Sequence, residues 1–459
     1  MSQDQDTSLN PLCVAFCEAT QLSADSESQK DKSLTPTPES ASGRKQGRID
    51  SNYFKSAEWS VLDPEIQSLG RPWTDNDHRT PDGTTVITDS ADNHIRTFVL
   101  PPDLLDERDA PLQLTPYSTL PSSEPIYATA IYPYFSLQDP STTLLLSSVR
   151  DHPIRLSSAL APQTLATYSL INPSTEAFIT PHSILYPAHL GGTHFLTGSD
   201  SLICLFDVSR PGSDGPVLRM PTIPSKRKQI VGGGVGMKGI VSAMAMNPNE
   251  DGILAAGTFT RNIALYDSRG CGELIGTFSI AKSEADRHIG GKGITQLLWS
   301  PCGRYLYVAE RKSQGMLVYD IRVTGQLLGW LQGRRAISNQ RLKADIIPIG
   351  ETESHEVWAG GTDGVTRVWR NPFATVGQKE PDWEFKVHDG KLSSAIIFLV
   401  FREITRVLDS VTSAVLHPGG SVLATCSGQR HFVDYAAVDD MGNLPARSTG
   451  DNSLRIWSL

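Results

Sequence analysis

The sequence predicts an all-β protein, a seven-bladed β-propeller, and two observations support this. The 38 glycines and 30 prolines separate many short apolar segments, as expected for strands joined by tight turns. One pattern recurs: an apolar strand, a Pro/Gly/Asp turn, a strand that ends in small residues, a polar turn and a strand that closes on an aromatic residue. The chain has neither a long apolar run nor a basic leader followed by an apolar stretch, so we expect no membrane span and no secretory signal.

The clearest copies of the repeat are residues 241–269 and 294–322. Successive copies close at intervals of about 50 to 60 residues, which fits a WD40-type blade of about 40–45 residues plus loops. We expect the closing aromatic side chain to fill the space between neighbouring blades. The clearest closing pairs are Phe206-Asp207, Tyr266-Asp267, Tyr319-Asp320 and Trp369-Arg370.

The third strand of each blade is the easiest to count, and seven segments have its pattern. The second of them lacks the closing aromatic residue. The predicted third strands are residues 94–100, 152–157, 202–207, 262–267, 315–320, 364–369 and 453–458.

The chain stops where the third strand of the seventh blade ends, so the outer strand of that blade must come from the other terminus. An open edge there would pair with other molecules, and propellers close by borrowing such a strand. Residues 1–51 are mostly polar and predicted to be largely disordered, but 12–17 are apolar and are the expected closing strand. The propeller itself is assigned to residues 52–459.

Two segments interrupt repeat patterns that would be continuous without them: residues 61–80 in the first blade and 391–409 before the seventh. Each is either a long loop or intron sequence retained in the gene model. The second contains the apolar run AIIFLVF, which an exposed loop would not easily tolerate.

The sequence offers little that resembles catalytic chemistry. Its six cysteines form no C-x-x-C pair and no cluster with zinc-ligand spacing, so we expect free thiols and no metal. No Ser/His/Asp or Cys/His group can be assembled, and His182 and His417 fit structural positions. Residues 234–239 match G-x-G-x-x-G, but a strand follows instead of a helix, which argues against a nucleotide site. We therefore expect no enzyme activity and no cofactor.

The net charge of −9 argues against a protein that coats nucleic acid with its whole surface, but a local basic face remains open. In a propeller, the turns between second and third strands and the loops that lead into first strands open on the same face. Cations and long amides collect at those positions, although Asp92, Asp200 and Asp363 also occur there. Such a face can hold RNA phosphates, and the alternative is that polar turns simply favour charged residues. The candidate RNA-binding residues are Arg150, His152, Lys238, Arg261, Lys292, Arg311, Lys312, Asn339, Gln340, Arg341 and Arg430.

Several sequence motifs are more specific than a general WD-repeat pattern and occur in one order along the chain. They are NYFKSAEWS (52–60), PDGTTVITDSADNHIRTFVLPPDLL (81–105), SSVRDHPIRL (147–156), DVSRPGSDGPV (207–217), SNQR (338–341) and SGQR (427–430). Together they resemble the telomerase Cajal body protein family, over about residues 52–459, with a texture typical of a fungal member.

The resemblance implies a nuclear propeller, located in Cajal bodies or the nucleoplasm with a possible cytoplasmic pool, that binds small Cajal-body RNAs or telomerase RNA and their RNP proteins. It implies a scaffold for RNP biogenesis and trafficking, and we expect a monomer. A related budding-yeast protein is tied to spliceosomal RNP function, so a general protein–protein scaffold, for example in pre-mRNA splicing, is the alternative that the fold supports equally well.

Asn339, Gln340 and Arg341 are the strongest single candidates, because three long polar side chains stand where a WD repeat usually has a polar loop ending in His. If they bind RNA, Arg341→Ala should weaken binding, flatten its salt dependence and leave the melting temperature nearly unchanged. Their alternative role is to form the hydrogen bonds that hold neighbouring blades together.

Overall fold

The computed structural model describes residues 11–19, 22, 52–60, 83–223, 236–249, 252–270, 272–323, 325–350, 353–388, 409–429 and 451–459. Within them the strands form seven sheets arranged as the blades of a propeller, which confirms the predicted fold class. Most of the predicted disordered segment, residues 61–80 and all but the last residue of 391–409 lie outside the described residues.

The strands are numbered along the chain, and each blade contains strands that are mostly consecutive. A first strand lies outside the first blade: β1 Leu12–Glu18. Blade one contains β2 Phe54–Trp59, β3 Thr85–Ser90, β4 His94–Val99, β5 Leu112–Gln113 and β6 Ser118–Pro121. Blade two contains β7 Ile126–Ile131, β8 Leu144–Val149, β9 Ile154–Ser158 and β10 Thr164–Tyr168. Blade three contains β11 Ser183–Leu185, β12 His194–Ser199, β13 Leu202–Asp207 and β14 Leu218–Pro221.

The remaining strands form blades four to seven, and short 3-10 helices lie in the connecting loops. Blade four contains β15 Val241–Met246, β16 Leu254–Thr258, β17 Asn262–Tyr266 and β18 Leu274–Ser279, and blade five contains β19 Ile294–Trp299, β20 Tyr305–Glu310, β21 Ser313–Asp320 and β22 Gln326–Ala336. Blade six contains β23 Ala344–Pro348, β24 His355–Gly360, β25 Val365–Arg370, β26 Gly377–Lys379 and β27 Trp383–Lys386. Blade seven contains β28 Val411–Leu416, β29 Val422–Ser427 and β30 Ser453–Ser458. The 3-10 helices are Pro140–Thr142, Ala188–Leu190, Ser268–Gly270, Glu284–Arg287 and Pro372–Ala374.

Each blade is an antiparallel meander whose first strand lines a central channel. The predicted third strands correspond to β4, β9, β13, β17, β21, β25 and β30, to within two residues at each end. Two short strands leave their own blade: β5 joins the seventh sheet and β26 pairs in parallel with β22 of the fifth.

The hydrophobic core consists, among the described residues, of seven clusters, and each lies between two neighbouring blades. The aromatic residue of a third strand belongs to the cluster shared with the preceding blade: Tyr319, for example, packs with Ile263 and Leu265 of blade four. Burying such a ring contributes roughly 2 kcal/mol. Blade two lacks this aromatic residue, and the fully buried Phe135, from the loop between β7 and β8, fills the corresponding space.

The seventh blade is completed from the other end of the chain. Strand β1 pairs antiparallel with β30, from Leu12 opposite Ser458 to Glu18 opposite Ser453, and β5 covers its outer edge in parallel. Alternate residues Ala15 and Cys17 are buried in the cluster between blades seven and one, as the period-two pattern of a strand requires.

Polar side chains on or beside the inner strands join neighbouring blades through backbone groups. Gln296 of blade five pairs with both the N–H and the carbonyl of Ala344 in blade six, at 2.8 Å each. The carboxylate of Asp345 accepts the Leu416 N–H of blade seven at 2.8 Å, and burial raises the pKa of Asp345 to about 6. The hydroxyl groups that act in the same way are Ser148 to Pro181 O, Ser183 to Val241 O, Ser242 to Ile294 O, Thr412 to Phe54 O and Ser413 to Ala57 O.

Removing residues 1–20 should lower the melting temperature markedly, because it exposes the edge of β30 and the apolar cluster that β1 covers. The expected loss in free energy of unfolding is on the order of 5 kcal/mol, measured by calorimetry, with size-exclusion chromatography to detect association through the exposed edge. Removing only residues 1–10 is the control and should leave the melt unaltered. If the longer deletion also melts like the intact chain, β1 does not close the propeller.

Candidate functional site

The predicted face is built from turns and loops that are bonded to one another across blades four to six. The N–H of Lys292 donates to Arg311 O at 2.9 Å, and the N–H of Lys312 donates to Ser338 O at 3.0 Å. Thr260, in the turn of blade four, donates its hydroxyl to Lys238 O. Together with the contact of Arg311 over the Phe259 ring, at 4.5 Å, these bonds bring Lys238, Lys292, Arg311 and Lys312 into one band, which we call the basic rim.

The three lysines of the basic rim are exposed and form no ion pair with any residue in the part of the chain that the structure describes. Asn339, also exposed, follows in the next loop. Asp286 interacts electrostatically with Lys292 without forming an ion pair. Because exposed cations outside ion pairs are what a phosphate backbone attracts, this band is the part of the face best suited to nucleic acid.

The turn before each third strand imposes a further constraint on this face. In six blades the residue immediately before the third strand has a positive φ, between 43° and 75°. Glycine and asparagine tolerate this conformation, whereas other side chains are strained by about 1–2 kcal/mol. The residues are Asn93, Ser201, Arg261, Lys312, Gly364 and Asn452.

Arg261 has a structural partner that explains its place in the strained turn. Its guanidinium forms two bonds to Glu310, at 2.7 and 2.9 Å, and a further pair to Asp286. Burial would lower the pKa of Arg261, but the hydrogen bonds from these carboxylates outweigh it and raise it. The positive charge is therefore already neutralised, so Arg261 is the candidate least suited to contact RNA. Lys312, in the same conformation, has no such partner among the described residues.

Arg341 lies in a different position from the one we expected. Its guanidinium reaches across the mouth of the channel and donates to His182 O at 2.9 Å and towards Tyr127 O at 3.5 Å, in blades three and two. It also lies 5.8 Å from the centre of the Phe259 ring. Burial lowers the pKa of Arg341, an effect that Asp89 partly offsets. This geometry corresponds to the alternative role, a hydrogen-bonded brace between blades.

The other candidates differ in how accessible they are. Gln340 donates its amide to Gly428 O at 3.3 Å and links blades six and seven. Arg150 and His152 lie in the turn of blade two, where Arg150 is exposed but 3.3 Å from Asp151. Exposed Asp200 in blade three separates that turn from the basic rim. Arg430 lies outside the described residues.

Two of the three acidic turn residues do not oppose the basic rim. Arg96 pairs with Asp92 at 2.5 Å, and Arg367 binds Asp363 through two bonds of 3.1 and 2.7 Å. Burial would raise the pKa of Asp92, but hydrogen bonds from His94 and Arg96 outweigh it and hold the pKa below its usual value. The negative charge of these turns is therefore satisfied within each blade.

Sequence reasoning missed a group of aromatic residues at the channel mouth. Tyr127 stacks on His182, with ring centres 4.8 Å apart, and His182 meets the edge of Phe259 at 6.5 Å. Arg311 lies over Phe259 at 4.5 Å. We call Tyr127, His182 and Phe259 the aromatic arc. The feature of the sequence that could have revealed this group is an aromatic residue at turn and strand-start positions that are usually polar.

The aromatic arc lines the channel, a cavity of about 780 Å³ that also contains the ion pairs Lys55–Asp89, at 3.2 Å, and Lys343–Glu58. Within the described ranges no three His, Cys, Asp or Glu side chains are grouped so as to hold a metal ion. In the same ranges no helix has the length and apolar character needed to cross a membrane.

Arg341→Ala should lower the free energy of unfolding by about 2 kcal/mol, because it removes the donor to the partly buried carbonyl groups of His182 and Tyr127. This differs from the nearly unchanged melt expected from the sequence. Asn339→Ala, two residues away and exposed, is the control and should stay within about 0.5 kcal/mol of the parent. Denaturant titration measures both, and equal stability of the two variants would show that the brace contributes nothing.

No known family model matches the chain. The chain is 29% identical over 397 residues to telomerase Cajal body protein 1 of Mus musculus, covering 85% of this chain and 64% of that protein. It is 28% identical over 417 residues to the Homo sapiens protein of the same name, covering 88% and 66%. Guanine nucleotide-binding protein negative regulator 1 of Schizosaccharomyces pombe is 29% identical over 323 residues, covering 70% and 71%.

The chain thus spans slightly less than two thirds of the length of the mammalian relatives that it matches. These similarities confirm the resemblance to the telomerase Cajal body protein family that the sequence motifs indicated.

Proposed function

We propose that the chain is a non-catalytic scaffold that binds RNA on the basic rim and serves small nuclear, Cajal-body or telomerase RNP biogenesis in the nucleus. The observation that carries this proposal is the band of exposed lysines on blades four and five, beside a channel mouth with aromatic side chains. Lysines can track the phosphates, while rings and amides contact unpaired bases.

The strained turn at Lys312 supports the same function. A lysine there costs stability that glycine or asparagine would not, and the structure shows no ion pair of this lysine that would compensate among the described residues. Strain of this kind persists at sites where the side chain is needed for another purpose. RNA binding gives the lysine such a purpose.

The names of the mammalian relatives support a role in telomerase or Cajal-body particles, and the monomeric propeller would contact the particle's proteins through its other surfaces. The name of the Schizosaccharomyces pombe relative describes a regulator of a guanine nucleotide-binding protein. This favours, as a second candidate, a scaffold that binds only proteins.

Ultraviolet crosslinking of the tagged chain in cells, followed by RNA sequencing, distinguishes the two candidates. We expect enrichment of small nuclear, Cajal-body or telomerase RNA over a tag-only control. A chain that recovers proteins but no crosslinked RNA would support the protein scaffold instead.

Lys312→Asn should weaken RNA binding while keeping or slightly raising the melting temperature, because asparagine tolerates the positive φ but carries no charge. Loss of one phosphate contact should make the slope of log affinity against log salt shallower by about 0.7 for a single strand. Fluorescence polarisation at several salt concentrations measures this.

Lys312→Arg is the matched control, since it retains the charge and should retain both the affinity and the salt slope. If the asparagine variant binds as tightly as the arginine variant, Lys312 does not contact RNA.

A further inference from the structure

The aromatic arc forms a continuous series of planar groups around the channel mouth. Tyr127 and His182 are nearly parallel, at 19°, and Phe259 stands almost perpendicular to His182, at 77°. The guanidinium of Arg311 continues the series over Phe259. Four blades, two to five, therefore contribute one planar side chain each.

The rings of the arc are not part of the hydrophobic core. Each is only partly buried and lines the channel cavity, whereas stacked core rings such as Phe195 and Phe206 are at most 1% exposed. Partly exposed rings at the mouth of a cavity that opens to solvent leave apolar surface in contact with water. A planar ligand that covers this surface would gain free energy.

The cavity has room and polar groups for one heterocyclic ring. Its volume, about 780 Å³, lies within the usual range for small-ligand sites. Gln340, Lys55 and Asp89 line it together with the arc. Lys55 and Asp89 pair with each other at 3.2 Å, whereas Gln340 has a second amide hydrogen beyond the one that it donates to Gly428 O. A nucleobase has both the flat faces and the hydrogen-bonding edge that this arrangement suits.

The arc and the basic rim are directly connected. Arg311 lies over Phe259 on one side and donates its Nε–H to Lys292 O, at 2.9 Å, on the other. A backbone phosphate held by Lys292 would therefore lie next to the mouth of the cavity. A nucleotide can reach the arc from there only if its base is free of a duplex.

We propose that the aromatic arc binds one unpaired base, turned into the channel mouth from a single-stranded RNA whose backbone lies on the basic rim. The base stacks against the arc, in the region of Tyr127 and Phe259, while Gln340 faces its polar edge. This inference rests on the proposed RNA-binding function and adds to it a subsite for one base at the channel mouth.

Affinity is tested with a pool of fluorescein-labelled, single-stranded RNAs of twelve random nucleotides and with the corresponding duplex pool. Tyr127→Ala should weaken binding of the single strands roughly tenfold. Tyr127→Phe is the matched control and should bind like the parent, because the phenol oxygen has no hydrogen-bond partner in the described part of the chain. Duplex binding should be equal for both variants.

Crosslinking of the unaltered chain gives a second measurement that does not depend on the stability of a variant. The same pool, with 4-thiouridine at random positions, is irradiated and the crosslinked peptides are mapped by mass spectrometry. We expect crosslinks at Tyr127, His182 or Phe259.

The two hypotheses fail in different ways. Crosslinks confined to the basic rim, together with equal affinity of Tyr127→Ala and Tyr127→Phe, overturn the base subsite and leave RNA binding in place. No measurable binding of either RNA pool overturns both.

Discussion

The pairing of β1 with β30 is the interaction on which the rest of the molecule depends. The seven core clusters each lie between two blades, so no blade has a complete core of its own. A ring of such interfaces is stable only if it closes, and β1 closes it by bridging β30 and the short strand β5. The bonds from Gln296 and Asp345 to the next blade then hold the inner strands in a fixed order. That order of the inner strands determines the geometry of the channel mouth.

A chain with a net charge of −9 can still present a basic face, because its charges are distributed unequally between strands and turns. Arg96 and Arg367 lie on third strands and neutralise the acidic turn residues of their own blades. Glu310 and Asp286 neutralise Arg261. The exposed cations of the basic rim on blades four and five are lysines, and these form no ion pair among the described residues.

The seven blades could be predicted because their signal is local. A closing aromatic such as Tyr319 must fall at a fixed place in a repeat, and the third strands follow from it to within two residues. The role of Arg341 could not be predicted in the same way. Its partners Tyr127 and His182 are far away in sequence and meet it only because the blades form a ring. For the same reason, the sequence does not reveal the bonds of Arg261 to Glu310 or the stacking of Tyr127 on His182. Positions along a repeat indicate the face on which a residue lies, but not the other blades that it reaches.

The closing strand has a consequence for biosynthesis. Strand β1 pairs with β30, which leaves the ribosome roughly 440 residues later. At ordinary elongation rates of about 5–20 residues per second, the wait is on the order of tens of seconds. During that time β1 can pair only with the two residues of β5, and the most recently completed blade exposes the apolar face that its successor covers. Premature termination just before β30 would leave both flanks of the ring open, so even a short loss of sequence at that end should produce an aggregating protein instead of a slightly smaller one.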